Sequence, residues 1–201
     1  MASIVLAGGR STRLGRDKVS LVIGGEGLLQ RTINHLKRLN QEIILVLAQG
    51  QPLSKLDSST DVRLAMDVEL GKGPLVGVYS GLKASNDDYN VVVACDMPFL
   101  NVELMRYMIG LGPGFDIVIP RIGDKVEPLH AVYSKSCLDI IEGMMSEGNL
   151  KVSNLLELAN ARFVEGDELD KFDPDHQSWF NINMPADLKK AEEILNRERS
   201  K

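Results

Sequence analysis

Ser3-Ile4-Val5-Leu6-Ala7-Gly8-Gly9-Arg10-Ser11-Thr12-Arg13-Leu14-Gly15-Arg16-Asp17-Lys18 is the stretch on which the fold turns. Ser3 to Ala7 is almost continuously apolar, the pattern of a strand covered on both faces, and it stops at Gly8-Gly9. Gly8, Gly9 and Gly15 let backbone amides approach a ligand closely. Ser11, Thr12, Arg10, Arg13, Arg16 and Lys18 add donors suited to anionic oxygens. In composition the loop is an anion cradle at the end of a buried strand. No Gly-Lys-Ser/Thr closes it and the dinucleotide spacing G-x-G-x-x-G is absent, so neither of those phosphate loops is present. The residues alone leave a glycine-rich turn with solvated charges as the alternative.

Outward from that stretch, apolar periods of 2 and 3.6 alternate. Val19 to Ile23 is an apolar segment ended by Gly24-Gly25. Leu28 to Leu39 carries apolar residues at 28, 29, 33, 36 and 39, which is helical spacing. Strands follow at Glu42 to Ala48 and Val62 to Met66, then a helix at Pro74 to Ala84 with proline in its first turn. Asn90 to Cys95 reads as a strand, Asn101 to Ile109 as a helix, and Asp116 to Ile119 as a strand ended by Pro120. Beyond Gly123, Leu129 to Tyr133 and Arg162 to Val164 are strands. Lys135 to Met145, Val152 to Ala159 and Pro185 to Arg197 are helices, the last with Asp187 in its first turn. The alternation predicts an α/β fold: three layers, α/β/α, around a mostly parallel, Rossmann-like sheet.

The chain has 201 residues, 44% hydrophobic and 25% charged, the profile of one globular domain rather than of a disordered chain. Lys and Arg number 23 against 28 Asp and Glu, a net charge of −5, which argues against broad binding to nucleic acid or to an anionic membrane. The longest apolar run, Ile43 to Ala48, falls far short of the roughly 20 residues that span a bilayer. Met1-Ala2-Ser3 leads straight into the first strand with no basic region or cleavage site, and Cys95 and Cys137 form no disulfide framework or metal cluster. A cytoplasmic protein is expected.

Several residues outside the first loop carry chemistry. Asp96 stands at the carboxyl end of the Asn90 to Cys95 strand, where open α/β sheets bind ligands. A carboxylate there suits Mg²⁺, although capping the turn before Asn101 is a structural alternative. Asp67 follows the Val62 to Met66 strand, at the same carboxyl edge, just before Gly71-Lys72-Gly73. An ordinary loop position is its alternative. The spacing of Gly71, Gly73 and Gly77 is not that of a dinucleotide loop, and Pro74 at a helix start accounts for it. His130, on a strand, reads as a satisfied structural histidine, while His35 and His176 are uninformative. Cys95 reads as a small core residue, and Trp179 and Phe180 read as core rather than as the lining of a ligand pocket.

The whole of the first loop resembles the signature of the MobA-like nucleotidyltransferase family, L-A-G-G-x-S-x-R-M-G-x-D-K, with Leu14 in place of methionine. Further resemblances follow in order: Gly73-Pro74-Leu75-Val76-Gly77 to G-P-L-x-G, and Cys95-Asp96-Met97-Pro98-Phe99 to C-D-x-P-[FY]. Then come Glu127-Pro128-Leu129-His130-Ala131-Val132-Tyr133 to x-P-L-x-A-[VL]-[YN], and Phe180-Asn181-Ile182-Asn183-Met184-Pro185 to F-x-N-[VI]-N-T-P. The match runs from residue 3 to about 195. It implies one nucleotidyltransferase domain over residues 1–201, of nucleotide-diphospho-sugar transferase type, with the nucleotide in the first half and the acceptor toward the second.

Within the family the chain is most similar to members that transfer GMP from Mg-GTP to the terminal phosphate of molybdopterin, releasing pyrophosphate. The resemblance then implies Arg13, Lys18 and Asp96 as catalytic residues, and Leu6, Ala7, Gly8, Gly9, Lys18, Asp67, Gly73, Pro74 and Asp96 as the nucleotide site. Mg²⁺, or Mn²⁺ in its place, would be held by Asp96 and an asparagine, Asn183 or Asn181, and both asparagines are candidates for the acceptor. The implied partners are GTP, the molybdenum cofactor, and the cofactor-biosynthesis proteins or molybdoenzymes on either side of the reaction. Family members that use CTP tend to carry L-A-A-G where Leu6-Ala7-Gly8-Gly9 stands, one methyl group away, so CTP is the runner-up. A sugar-1-phosphate or other small phosphate acceptor, or a nucleotide-binding module without turnover, are the other readings.

Overall fold

The computed structural model describes residues 1–8, 21–51, 56–57, 60–68 and 72–199. Its centre is β1 (Ala2–Leu6), buried at every position. On one side β1 pairs in parallel with β4 (Glu42–Leu47), on the other with β6 (Tyr89–Ala94). β5 (Arg63–Met66) adds to β4 in parallel at the edge. Beyond β6 the sheet turns mixed: β9 (His130–Ser134) runs antiparallel between β6 and β7 (Ile117–Ile122), and β10 (Ala161–Val164) pairs with β7 in parallel. The order is β10-β7-β9-β6-β1-β4-β5, with β8 (Lys125–Val126) hairpinned onto β7. The mostly parallel α/β sheet read from the sequence is therefore present, with β9 reversed inside it.

Strand periodicity divides the core into two faces. Val5 and Ala7 join Leu45, Leu47, Val91 and Val93 under α1 (Leu28–Lys37) and α3 (Val102–Leu111). Ala2, Ile4 and Leu6 turn the other way, with Ile44, Val46 and Val92, under α2 (Pro74–Ala84), α4 (Cys137–Ser146) and α5 (Val152–Leu158). Ile4, Ile44, Leu45 and Val92 are fully buried, each stabilising the fold by about 1.5–3 kcal/mol through its removal from water. A third cluster joins α7 (Pro185–Arg199) to β2 (Val22–Ile23) and to Leu28, Phe99 and Ile182. β2 and β3 (Glu26–Gly27) form a hairpin through Gly24 (φ 57°) and Gly25 (φ 87°), a turn in which glycine avoids the steric cost of positive φ. Among the described residues no helix is long and apolar enough to cross a membrane.

One expectation is corrected. Pro120 does not end β7, which continues to Ile122 and pairs with β8. Pro120 lies past Val118, the last residue that β9 pairs, so the missing N–H interrupts no β7–β9 hydrogen bond. Gly123-Asp124, a two-residue hairpin signal between Ile122 and Lys125, turns the chain from β7 into β8. A short helix, α6 (Asp167–Asp170), was also not anticipated.

Candidate active site

β1, β4, β5 and β6 run in the same direction, so the loops leaving them gather on one edge of the sheet. Hydrogen bonding carries the ladder beyond β1. The N–H of Ala7 donates to the Val46 carbonyl at 3.0 Å, and the N–H of Cys95 donates to the Leu6 carbonyl at 3.1 Å. Gln51 braces the same turn: its Nε2 donates to the Ala7 carbonyl at 2.9 Å while its Oε1 accepts from the Ala48 N–H at 3.2 Å. At Gly8 a Cβ would stand 3.1 Å from the Ala48 nitrogen, so the first loop leaves β1 with little room for a side chain. Leu6, Ala7 and Gly8 are thus placed at the edge. Gly9, Arg13 and Lys18 lie outside the described residues.

Asp67 begins the next loop, half-buried, with its N–H donating to the Leu47 carbonyl at 2.8 Å. Its Oδ1 accepts from the hydroxyl of Ser80 at 3.0 Å, and that hydroxyl oxygen accepts from the N–H of Val68 at 3.0 Å. α2 approaches β1 through glycines: a Cβ on Gly77 would lie 3.3 Å from Leu6 Cδ1, and one on Gly81 only 2.4 Å from Ile4 Cγ2. The start of α2 therefore points toward the carboxyl edge. Gly73 takes φ 93° there, a conformation glycine adopts without strain, and Pro74 fills the first helical position. The unpaired N–H groups of that first turn favour anions.

Asp96 follows β6 and is 9% exposed. It does not cap α3, because Asn101 does: Asn101 Oδ1 accepts from the Leu104 N–H at 2.9 Å. Arg31 fixes the same loop, its Nε donating to the Pro98 carbonyl at 2.8 Å with its guanidinium 5.9 Å from the centre of the Phe99 ring. The Asp96 carbonyl accepts from the N–H of Ile182 at 3.0 Å, which draws Asn181 and Asn183 to this edge from the far end of the sequence. Asn183 is exposed. The start of α7 is closed by Asp187, whose Oδ2 accepts from the N–H groups of Asn183 and Met184, both at 2.8 Å.

Because β9 is reversed, its beginning also lies on the carboxyl edge. The Leu129 carbonyl accepts from the Ala94 N–H at 3.0 Å and sets Glu127 beside the Asp96 loop. Glu127 Oε1 accepts from the Leu129 N–H at 3.1 Å, and its Oε2 accepts from Asn181 Nδ2 at 3.0 Å. Burial raises the Glu127 carboxyl above its ordinary range and the charge on Asp96 pushes the same way, while the two donated hydrogen bonds oppose both.

Of the sequence-read residues, the structure brings together Leu6, Ala7, Gly8, Asp67, Gly73, Pro74, Asp96, Asn181 and Asn183. Sequence reasoning missed Gln51, Ser80 and Glu127, the side chains that hold the others. None of the three carries a local cue; Glu127 reaches the site only because β9 runs antiparallel to β6. His130 is buried as expected, but among the described residues neither ring nitrogen has a hydrogen-bond partner, so it is not a satisfied histidine. Desolvation lowers it to about 4, against a weaker opposing pull from Asp173. Cys95 is buried in the core, Trp179 is half-buried against it, and Phe180 meets Phe99 edge-on at 5.8 Å.

Known proteins are similar to this chain over nearly its full length. A protein of Pelotomaculum thermopropionicum named "Probable molybdenum cofactor guanylyltransferase" is 34% identical over 98% of this chain and 94% of its own. One from Desulfosudis oleivorans, "Molybdenum cofactor guanylyltransferase", is 31% identical over 99% and 98%. The crystal structure of molybdopterin-guanine dinucleotide biosynthesis protein A from Archaeoglobus fulgidus superposes with a TM-score of 0.84 at 32% identity, covering 98% of this chain and 100% of that one. The fold is of nucleotide-diphospho-sugar transferase type. The family model for the MobA-like NTP transferase domain matches residues 3–162, the span that builds β1, both aspartate loops and the head of β9, and the chain belongs to that nucleotidyltransferase family.

Proposed function

We propose that this protein transfers GMP from GTP to the terminal phosphate of molybdopterin and releases pyrophosphate, working as one domain over residues 1–201. The observation that carries the reading is full-length similarity, at 34% and 31% identity, to proteins named for this guanylyl transfer. In the reaction an acceptor phosphate oxygen forms a bond to the α-phosphorus of GTP, and the bond from that phosphorus to the oxygen bridging to the β-phosphate breaks. The attacking oxygen already carries charge, so no strong general base is required. The chain's task is alignment and charge neutralisation.

Lys18 and Arg13 take the β- and γ-phosphate oxygens and the charge that builds on the leaving pyrophosphate, with amides around Gly8, Gly9 and Gly15 lining the cradle and Leu6 and Ala7 at its strand end. Gly73 and Pro74 set the N-terminus of α2, whose first-turn N–H groups from Leu75 onward face the phosphates. Asp67, held by Ser80, accepts from the guanine edge or the ribose. Asp96 brings a carboxylate, and Asn181 and Asn183, drawn to the same edge by the Ile182–Asp96 backbone bond, bring amide oxygens, together a hard-oxygen set of the kind that Mg²⁺ or Mn²⁺ takes. Asp96 and Asn183 would hold the ion, and when bound it supplies charge neutralisation on the phosphates. The asparagines also bound the acceptor's side of the cleft. The reading carries with it a cytoplasmic location beside the proteins that supply molybdopterin and the molybdoenzymes that receive the product.

The test is a panel of GTP, CTP, ATP and UTP with Mg²⁺ and molybdopterin, scored by pyrophosphate release and product mass. GTP is expected to exceed CTP by about tenfold or more, because an acceptor aimed at paired guanine donors is left unsatisfied by cytosine. Equal use of CTP, or no transfer to molybdopterin, overturns the assignment.

A further inference from the structure

Asn181 has two chemically opposite ends, and which one faces the cleft decides what it can bind. An amide cannot be oriented by shape alone, since its oxygen and nitrogen are nearly the same size; the hydrogen-bond partner decides. Here the partner is a carboxylate. Glu127 Oε2 can only accept, so Asn181 presents Nδ2 to it, at 3.0 Å. Glu127 is itself held by the Leu129 N–H at 3.1 Å, and Leu129 is tied to β6 by the bond from the Ala94 N–H. On the other side, the Ile182 N–H bound to the Asp96 carbonyl holds the backbone next to Asn181 against the Asp96 loop. Both the main chain and the side chain of Asn181 are thereby fixed. Among the described residues no donor reaches its Oδ1, and Asn181 is half-buried.

We infer that Glu127 is a positioning residue that locks the Asn181 amide with its carbonyl oxygen toward the cleft, so that Asn181 receives an electropositive ligand group and not a phosphate oxygen. This rests on the proposed transfer reaction for its catalytic consequences, though not for its geometry. The electropositive group has two sources: an N–H of the incoming acceptor, or a hydrated divalent cation beside Asp96. Either is matched by an amide oxygen, and either is repelled by an amide NH₂ in the same place.

An isosteric exchange tests the inference. In Glu127→Gln, the Leu129 N–H retains the Gln oxygen, which leaves Nε2 facing Asn181; the Asn181 amide must turn over, and NH₂ then enters the cleft. Thermal stability should remain within a few degrees while kcat/KM for transfer falls by about ten- to a hundredfold. Asn181→Asp alone sets two carboxylates against each other and should also be poor. The double variant Glu127→Gln with Asn181→Asp restores a donor-to-carboxylate bond and an acceptor oxygen toward the cleft, and should recover most of the lost activity. Raising Mg²⁺ or raising acceptor concentration over the Glu127→Gln enzyme then tells which source the oxygen serves. Wild-type activity in Glu127→Gln, or a double variant no better than it, overturns the inference. A separate readout is solvent exchange of the Asn181 side-chain NH₂ protons by NMR, slow in the wild type and fast in Glu127→Leu. If the wild-type protein fails to transfer GMP but this protection is seen, the functional reading fails and the positioning stands; equal exchange in both proteins removes the positioning itself.

Discussion

The hydroxyl of Ser80 lies 3.0 Å from Asp67 Oδ1, joining the body of α2 to the residue that follows β5. The same oxygen accepts from the Val68 N–H at 3.0 Å and lies 2.8 Å from the Val76 carbonyl, so a single buried hydroxyl organises both the turn after β5 and the aim of the Asp67 carboxylate. Ser80 is 3% exposed, which leaves water little chance to replace it.

Ser80→Ala is therefore expected to weaken nucleotide binding more than it weakens the fold. Loss of the hydroxyl leaves the Val68 N–H without its partner, at about 1–2 kcal/mol of stability. The loosened Asp67 should raise the KM for GTP several-fold and narrow the GTP-over-CTP preference, with kcat for saturating GTP less affected. Steady-state kinetics with both nucleotides beside a thermal melt checks this; an unchanged preference would mean that Asp67 does not reach the base.

Gly81 makes a purely structural prediction. Gly81→Ala gains about 1 kcal/mol of helix propensity, but its methyl would meet Ile4 Cγ2 at 2.4 Å, with Val46 Cγ2 at 3.3 Å. Ile4 is β-branched and fully buried on the central strand, so it has no open space to move into. Overpacking should outweigh propensity by roughly 2 kcal/mol, lowering Tm by about 4–8 °C. Activity at 25 °C should persist, since Gly81 does not face the carboxyl edge. An unchanged or raised Tm would show that α2 can slide on β1.

For Asp96, separation of stability from activity is the expectation. Asn101 already caps α3, so Asp96→Asn keeps size and removes no cap; its Tm should stay close to wild type. Transfer should fall on the order of a hundredfold to ten-thousandfold, with partial rescue at higher Mg²⁺, because the lost charge weakens the ion that neutralises the phosphates. Melting temperature and product formation across a Mg²⁺ titration decide it. Full activity with unchanged metal dependence would remove Asp96 from the site.

Sequence reading located β1, its glycine exit, Asp67, Pro74 and Asp96 because each is announced locally, by an apolar run, a breaker or a strand end. It could not see Ser80 beneath Asp67, 13 residues away, or Glu127 beside Asn181, 54 residues away, because nothing local to either residue encodes such a contact. The reversed β9 is the deeper reason for Glu127. In an all-parallel reading the head of that strand would lie on the opposite edge from Asp96, and only the antiparallel pairing of His130 with Val93 brings it across. β7 runs past Pro120 for a related reason: a proline breaks a strand only where its missing N–H has a partner, and partners are tertiary.

His130 leads to a pH prediction. Its ring is fully buried at the head of β9 with both nitrogens unpartnered among the described residues, and desolvation holds it near 4 against an ordinary value of 6.5. Above about pH 7.5 the ring is neutral in both folded and unfolded chains and titration contributes almost nothing. As pH falls from there toward 4, the unfolded chain takes up the proton and the folded chain does not, so stability drops, on the order of 3 kcal/mol across the window. Glu127, raised by burial, contributes with the opposite sign, so the slope must be assigned by comparison rather than from the wild type alone. In His130→Leu, which removes both unpartnered nitrogens at similar volume, stability at pH 7.5 should be equal or higher. Between pH 6.5 and 4 it should lose about 3 kcal/mol less than the wild type, as measured by urea unfolding at several pH values. Parallel stability curves for the two proteins would show that the folded His130 ring takes up its proton as readily as an exposed histidine.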